Sequence, residues 1–362
     1  MQLSSRVEKI CANLFLLMLT IFFMLVIGEV LLKCFLFHPS YNLVASQVLN
    51  GHGSELKVEL IPDNLYEIQP NKKLGINKYG FRDDDFSTQR NSRKRIIFLG
   101  DSYVMGLNVK SEETMPKALE KLLKNYEVYN MGVVGFGPDQ ELNVLNKYGF
   151  QFKPDLVIQA ICSINDSGDI YEDQIFTTGD HDELVVTDTN PVKSMVYPSF
   201  FTTVNAINFL RHRDKIVRTL DPLLFGDGFD LSWIKYMDSD EAKYKISLMK
   251  AIFLKMRDDI KARNINFISI IIPSYNAICD DAFFKENHIS QEKYFTNEEV
   301  YQYILDTEKI PNINLAPYFM QLNKEDRCAL YDAQNAHLSP LGNLFAAQII
   351  SIYMASHGLT GK

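Results

Sequence analysis

Cysteine is scarce in this chain of 362 residues, and the five present are scattered: Cys11, Cys34, Cys162, Cys279 and Cys328, with no Cys-x-x-Cys pair. That spacing excludes a zinc ribbon and gives no sign of a disulfide framework, so each reads as a small hydrophobe. Positive charge is also in short supply. Lys and Arg total 37 against 45 Asp and Glu, a formal charge of -8, and no basic patch stands out, which argues against nucleic acid as a partner. The acidic glycine loop Phe225–Asp230 lacks the spacing of a calcium loop. Neither a metal nor a cofactor is expected.

What the chain does have is apolar residues, 46% of the total with 12% aromatic, enough to support a core in one large domain or two small ones. Part of that content sits at the start. Ile10–Gly28 runs nineteen residues without a charge, and apolar character continues to Phe37. About twenty helical residues cross the hydrocarbon layer, and Gly28-Glu29-Val30 is a poor cleavage site for a signal peptide. Arg6 and Lys9 against Glu8 favour a cytoplasmic N-terminus. The expected layout is a short cytoplasmic tail over 1–9, an uncleaved transmembrane signal anchor over 10–37, a connector over 38–93, and a domain over 94–360 outside the cytoplasm. In the connector, Leu56–Ile61 is expected as an edge strand and residues 83–94 as a solvent-facing loop, while Arg82 near a cleft would hold an anion.

From Arg95 the chain settles into a repeat. Arg95–Leu99 reads as a strand, and Glu112–Asn125 as a helix with Met115, Ala118, Leu119, Leu122 and Leu123 on one face. Tyr126–Met131 is a second strand, running into the glycine loop Gly132–Gly137. Pro138 opens the next helix, with Leu142, Val144 and Leu145 toward the core. Asp155–Ile161 is almost continuously apolar, as an interior parallel strand should be. Strands alternating with helices in this way predict a doubly wound α/β sheet. The rhythm breaks at about 169–240, an insertion that serves as a surface elaboration or a lid, with a helix over Thr203–Leu220 and the single tryptophan, Trp233. It resumes with helix Glu241–Arg263, strand Ile265–Ile272, helical residues Asn297–Leu305, a short strand near Ile313–Leu315, the loop Leu330–His337 and a closing helix, Asn343–His357.

Polar residues fall where such a sheet puts its ligands, just past the C-terminal ends of its strands. Gly100-Asp101-Ser102 follows the first strand, Gly132 or Gly135 the second and Asn165 the third, while His337 lies in the last loop. Serine and histidine are the minimum for nucleophilic acyl transfer, the imidazole taking the hydroxyl proton and returning it to the leaving alcohol. The Ser102 N–H, a glycine N–H and the Asn165 amide are the candidate donors to an oxyanion. As plain turns and a helix cap, the same residues carry no chemistry, and spacing alone leaves both readings open.

In order and spacing these blocks resemble the SGNH (GDSL-type) hydrolase family, in particular its membrane-anchored bacterial members. Gly100-Asp101-Ser102, continuing to Gly106, is similar to the first block, with Ser102 in the nucleophile's place. Asn130-Met-Gly132-Val-Val-Gly135 resembles the second, with Gly135 as the oxyanion N–H. Lys153–Val157 through Asn165-Asp166 resembles the third, with Asn165 as the side-chain donor. The run Asn77–Arg82 and the anchor containing Glu29 look like the anchored subfamily. The resemblance covers about 93–355 apart from 169–240. It implies a flavodoxin-like three-layer α/β/α sandwich with a mainly parallel sheet, preceded by one transmembrane helix that spans the bacterial cytoplasmic membrane once.

The last block departs from the family. An Asp is expected two or three residues before the histidine, and those places hold Asn335 and Gln334 in Asp332-Ala-Gln-Asn-Ala-His337. Three arrangements follow. Asp332 reaches back to orient His337; or Ser102 and His337 act as a dyad, with Asn335 or a backbone carbonyl holding the imidazole; or hydrolysis has been lost and the fold binds a ligand. The resemblance implies a serine hydrolase of O-acyl esters, acting on an acylated glycan of the envelope or a small acyl ester, with Asp101, Asn335 and Arg82 in support. An O-acyltransferase on a surface glycan, or a non-catalytic glycan-binding or assembly protein, fits the same residues.

Overall fold

A computed structural model of the chain describes residues 13, 20, 24, 58–61, 65–68, 70–173, 175–179, 183–187, 240–279, 297–332 and 336–359. Apart from residues 13, 20 and 24, the expected anchor over 10–37 lies outside that set, as do the expected helix over 203–220, Trp233, Gln334 and Asn335. Among the described residues no helix is long and apolar enough to cross a membrane.

Two short strands, β1 (Val58–Ile61) and β2 (Leu65–Ile68), pair antiparallel with each other. The edge strand expected at Leu56–Ile61 is therefore part of a separate ribbon and not of the main sheet, because its partner lies only a few residues downstream. β3 (Lys94–Gly100), β4 (Tyr126–Gly132) and β5 (Leu156–Cys162) follow. The hairpin β6 (Phe176–Thr178) and β7 (Leu184–Val186) occupies the described start of the insertion. β8 (Asn266–Ile272) and β9 (Asn312–Asn314) then complete a five-stranded parallel sheet of order β4-β3-β5-β8-β9. Counting only its own strands, that order is 2-1-3-4-5, the flavodoxin-like arrangement.

Among the described residues from 58 onward the α-helices, in chain order, are α1 (Ser102–Met105), α2 (Met115–Leu122), α3 (Pro138–Lys147), α4 (Asp166–Asp173), α5 (Asp240–Lys261), α6 (Tyr275–Cys279), α7 (Asn297–Thr307), α8 (Ala316–Met320), α9 (Lys324–Cys328) and α10 (Pro340–Ser356). They cover both faces of the sheet. Alternate strand residues Ile97, Leu99, Val157, Ile161 and Ile271 pack against α3, α5 and α7 through Leu145, Ile252, Met256 and Tyr301. The residues between them, Ile96, Phe98, Val128, Ile158, Ile268 and Ile270, meet α2 and α10 through Leu119, Ala347, Ile350 and Met354. Burial on both faces explains why these strands lack a polar alternation. Each fully buried Ile or Leu contributes about 1.5–3 kcal/mol.

Three expectations need correction. The helix expected from Glu112 starts only at Met115, because Pro116 fits no later than the first turn; Ser111–Glu113 forms a 3₁₀ turn instead. The stretch expected to face solvent from residue 83 begins with Asp83 and Phe86 buried, Phe86 stacking on Tyr129 at 4.4 Å between ring centroids. Finally, Cys279 and Cys328 are joined by a disulfide, their Cα atoms 5.4 Å apart. They lie 49 residues apart in sequence at the ends of α6 and α9, so only the fold makes them neighbours. Cys162, by contrast, is a buried free thiol.

Closing a loop of that length restricts the unfolded chain and stabilises the domain by about 4 kcal/mol in the chain-entropy picture. Differential alkylation of the protein is expected to find Cys279 and Cys328 reactive only after reduction. Reduction should also lower the melting temperature, and Cys279→Ser should reproduce the loss.

Candidate active site

The first strand of the sheet delivers the nucleophile. Asp101 caps α1, its Oδ1 accepting from the Tyr103 N–H at 2.9 Å, so Ser102 becomes the first residue of a one-turn helix. That turn sits directly on the sheet. A Cβ at Gly132 would lie 2.5 Å from the backbone nitrogen of Met105, and one at Gly100 would collide with the Val104 side chain. Only the missing side chains let α1 settle so low. Asn130 then ties it down, its Nδ2 donating to Val104 O at 2.9 Å while its Oδ1 accepts from the Gly132 N–H. The backbone N–H of Asn130 is itself held by buried Asp83, which pairs with Lys117 at 2.5 Å.

Arg82 completes the support. Its guanidinium donates to the carbonyls of Gly106, Met105 and Val109, closing the far end of α1. The expected role in holding an anion is corrected accordingly: the group is buried, both terminal nitrogens donate to backbone carbonyls, and desolvation lowers its pKa.

The glycine loop separates the two oxyanion candidates. The Gly132 N–H is committed to Asn130. Gly135 is exposed with φ 70°, in the turn Val133–Phe136 closed by the Phe136 N–H to Val133 O, where the third position favours glycine. The third candidate, Asn165, follows β5. Its Nδ2 donates to Asp169 Oδ2 at 2.7 Å and lies 3.4 Å from Asp101 Oδ2, which is also 3.4 Å from Ser102 Oγ. Asn165 and Ser102 therefore meet across the Asp101 carboxyl. The loop behind is locked from α7, where Glu298 accepts from Ser163 Oγ at 2.5 Å and Asn297 donates to Ser163 O.

His337 arrives from the other end of the sequence. Its Nε2 lies 2.8 Å from Ser102 Oγ. Backbone contacts fix the residues on either side of it: Tyr331 bridges Leu338, the Asp332 N–H donates to His337 O at 2.8 Å, and the Ala336 N–H donates to Asp332 O. Asp332 and His337 are thus joined through their backbones one step beyond the bridge.

Sequence reasoning named Asp101 and Asp166 but missed Asp139 and Glu141 and the burial of all four acids. Asp139 and Glu141 of α3 and Asp166 of α4 are buried, as is Asp101. Glu141 accepts from Gln159 Nε2 at 2.9 Å, and Asp166 accepts from the Cys162 N–H. Desolvation raises all four carboxyls: Asp139 to about 7, Glu141 and Asp166 well above the ordinary range, and Asp101 in the same direction against the pull of His337. A signal was present, since Glu141 lies four residues before Leu145 on the buried stripe of α3.

The native state therefore holds protons that the unfolded chain, with ordinary carboxyls near 4, has released. This contribution to stability is complete below about pH 4 and is lost as pH rises through about 7 and beyond. Melting temperatures measured from pH 5 to pH 8.5 should fall on this account, and Asp139→Asn should flatten the profile and exceed the wild type at the alkaline end.

No family model matches the chain, and no curated protein matches it in sequence. Solved structures do. An acetyl xylan esterase is similar over 72% of this chain and 98% of its own, at 14% identity and a TM-score of 0.40. A lipase/acylhydrolase from Enterococcus faecalis is similar over 73% and 96%, at 14% identity and a TM-score of 0.41. A two-domain esterase active on acetylated mannans is similar over 73% of this chain and 49% of its own, at 10% identity and a TM-score of 0.38. The strand order gives this chain a flavodoxin-like α/β fold, and Ser102 and His337 meet at one edge of its sheet.

Proposed function

We propose that the protein is a serine hydrolase of O-acyl esters, tethered to the bacterial cytoplasmic membrane by residues 10–37 and acting outside the cytoplasm on O-acetyl groups of an envelope glycan. The observation that carries the reading is the 2.8 Å contact between Ser102 Oγ and His337 Nε2. In this mechanism His337 Nε2 takes the hydroxyl proton as Ser102 Oγ bonds to the ester carbonyl carbon. The N–H groups of Ser102 and Gly135 and the Asn165 amide receive the oxyanion. Collapse breaks the bond to the sugar oxygen, which leaves with the proton from His337. Water, deprotonated by the same imidazole, then frees the acid and restores Ser102.

Asp332 is the proposed partner of His337, accepting from Nδ1–H and stabilising the imidazolium. Its backbone hydrogen bond to His337 supports that role, in place of the acid missing at Gln334 and Asn335. The disulfide supports an oxidising location, since such bonds persist outside the cytoplasm. A tethered site there stays within reach of surface glycans.

The test uses the full chain in detergent. A fluorophosphonate should label Ser102, and p-nitrophenyl acetate should be hydrolysed, both abolished by Ser102→Ala. His337→Ala should lower kcat by roughly 10⁴-fold or more. Asp332→Asn is expected to lower kcat about 10²-fold or more with KM little changed; unchanged turnover would remove Asp332 from the mechanism. Release of free acetate, measured against transfer to an added oligosaccharide, separates hydrolase from acyltransferase. Absence of both labelling and turnover in folded protein would favour the non-catalytic glycan-binding reading.

A further inference from the structure

We infer that Tyr103 is a positioning residue for His337, clamping the histidine loop onto the nucleophile turn. The inference rests on the Ser102–His337 reading above and extends it to a residue outside the proposed catalytic set.

Two independent contacts from one side chain support it. The Tyr103 hydroxyl donates to Ala336 O at 2.9 Å, the carbonyl immediately before His337. The Tyr103 ring also lies against the imidazole, with centroids 4.8 Å apart and planes tilted by 33°. The side chain is only 4% exposed, so its placement is fixed by packing against Val104, Leu338 and their neighbours in the core on that face of the sheet. Its own N–H is held by the Asp101 cap, so the residue after the nucleophile is anchored in the same turn as Ser102.

The segment being clamped needs holding. Ala336 has φ 61°, a left-handed conformation that disfavours a residue with a Cβ by about 1–2 kcal/mol. Its N–H is fixed by Asp332 O and its carbonyl by the Tyr103 hydroxyl, so both sides of the strained residue are tied. The next residue is His337. A carbonyl pinned one peptide away sets the path of the backbone into His337, and a ring packed on the imidazole limits its rotation. Together they keep Nε2 on Ser102 Oγ. With no acid two or three residues upstream to brace the histidine, this bracing comes from the nucleophile's own helix, 233 positions from Ala336 in sequence.

The test is Tyr103→Phe, which keeps the ring and removes only the hydroxyl, with Tyr103→Leu removing both. Each variant is studied as the full chain in detergent, with thermal melting to confirm folding. In protein carrying ¹³C,¹⁵N-histidine, the His337 signals, assigned through His337→Gln, report tautomer and ring order whether or not the protein turns over. The wild type should show one tautomer with Nδ1 protonated. Tyr103→Phe should broaden or split that signal and lower kcat about tenfold, with KM within about twofold, and Tyr103→Leu should go further. His337 signals identical to wild type in Tyr103→Phe would overturn the inference, as would unchanged kcat in an active enzyme. A lowered melting temperature with unchanged His337 signals would make Tyr103 merely structural, which also overturns it. If the wild type proves inactive, the hydrolase reading falls, and the histidine spectra alone decide whether Tyr103 positions His337.

Discussion

The site depends on how closely one turn of helix can approach the sheet. Ser102 stands at the end of β3, and α1 folds back over β4 at a distance that leaves no room for a Cβ on Gly100 or Gly132. Once the turn is seated, a chain of polar contacts holds it from below. Asn130 bridges the glycine strand to the Val104 carbonyl, Asp83 holds Asn130, Lys117 neutralises Asp83, and Arg82 closes the far end at Gly106. Burial still pushes the Asp83 carboxyl up to about 6 despite that lysine. The connector before the sheet is thus the underside of the nucleophile, and the run Asn77–Arg82 belongs with the site on structural grounds.

The histidine half is built from the opposite end of the chain and on different principles. Its loop springs from α9, which the disulfide ties to α6 beyond β8, and it ends on α10, capped by Ser339. The Tyr331 hydroxyl donates to Pro273 O at 2.7 Å, adding a second tie to the end of β8. Two stiff assemblies therefore meet, one fixed to β3 and β4 and the other to β8 and α10. A hydroxyl and an imidazole 235 positions apart in sequence come into hydrogen-bond range because each is carried by its own scaffold.

Much of this was legible before any coordinates. β3, β5 and β8 announce themselves as apolar runs because both faces are covered, and Ser102, Gly135 and Asn165 fall just past strand ends while His337 lies in the last loop. What stayed hidden is polar burial. Arg82, Asp83 and Glu141 look like surface residues locally, and each is buried only because its partners come from elsewhere in the chain. The same reason conceals the disulfide, whose halves share no local pattern. Tyr103 was passed over as a continuation of the nucleophile block, since its hydroxyl finds a use only when the loop before His337 folds beside it.

The buried acids raise a question of charge that the geometry answers. An oxyanion held by Ser102, Gly135 and Asn165 would form beside Asp101 and within the field of Asp166 and Glu141. A carboxylate about 4 Å away opposes it by ~4 kcal/mol at an effective dielectric near 20. That opposition would cancel much of what the hydrogen-bond donors supply. Desolvation works against it, because the same packing that encloses these carboxyls raises their proton affinity and favours the neutral form. Asp169 differs in being only partly buried, and it accepts from the Asn165 amide, which also donates to Asp101 Oδ2 beside Ser102. Dense burial behind the nucleophile is therefore compatible with anion stabilisation in front of it, provided the acids keep their protons.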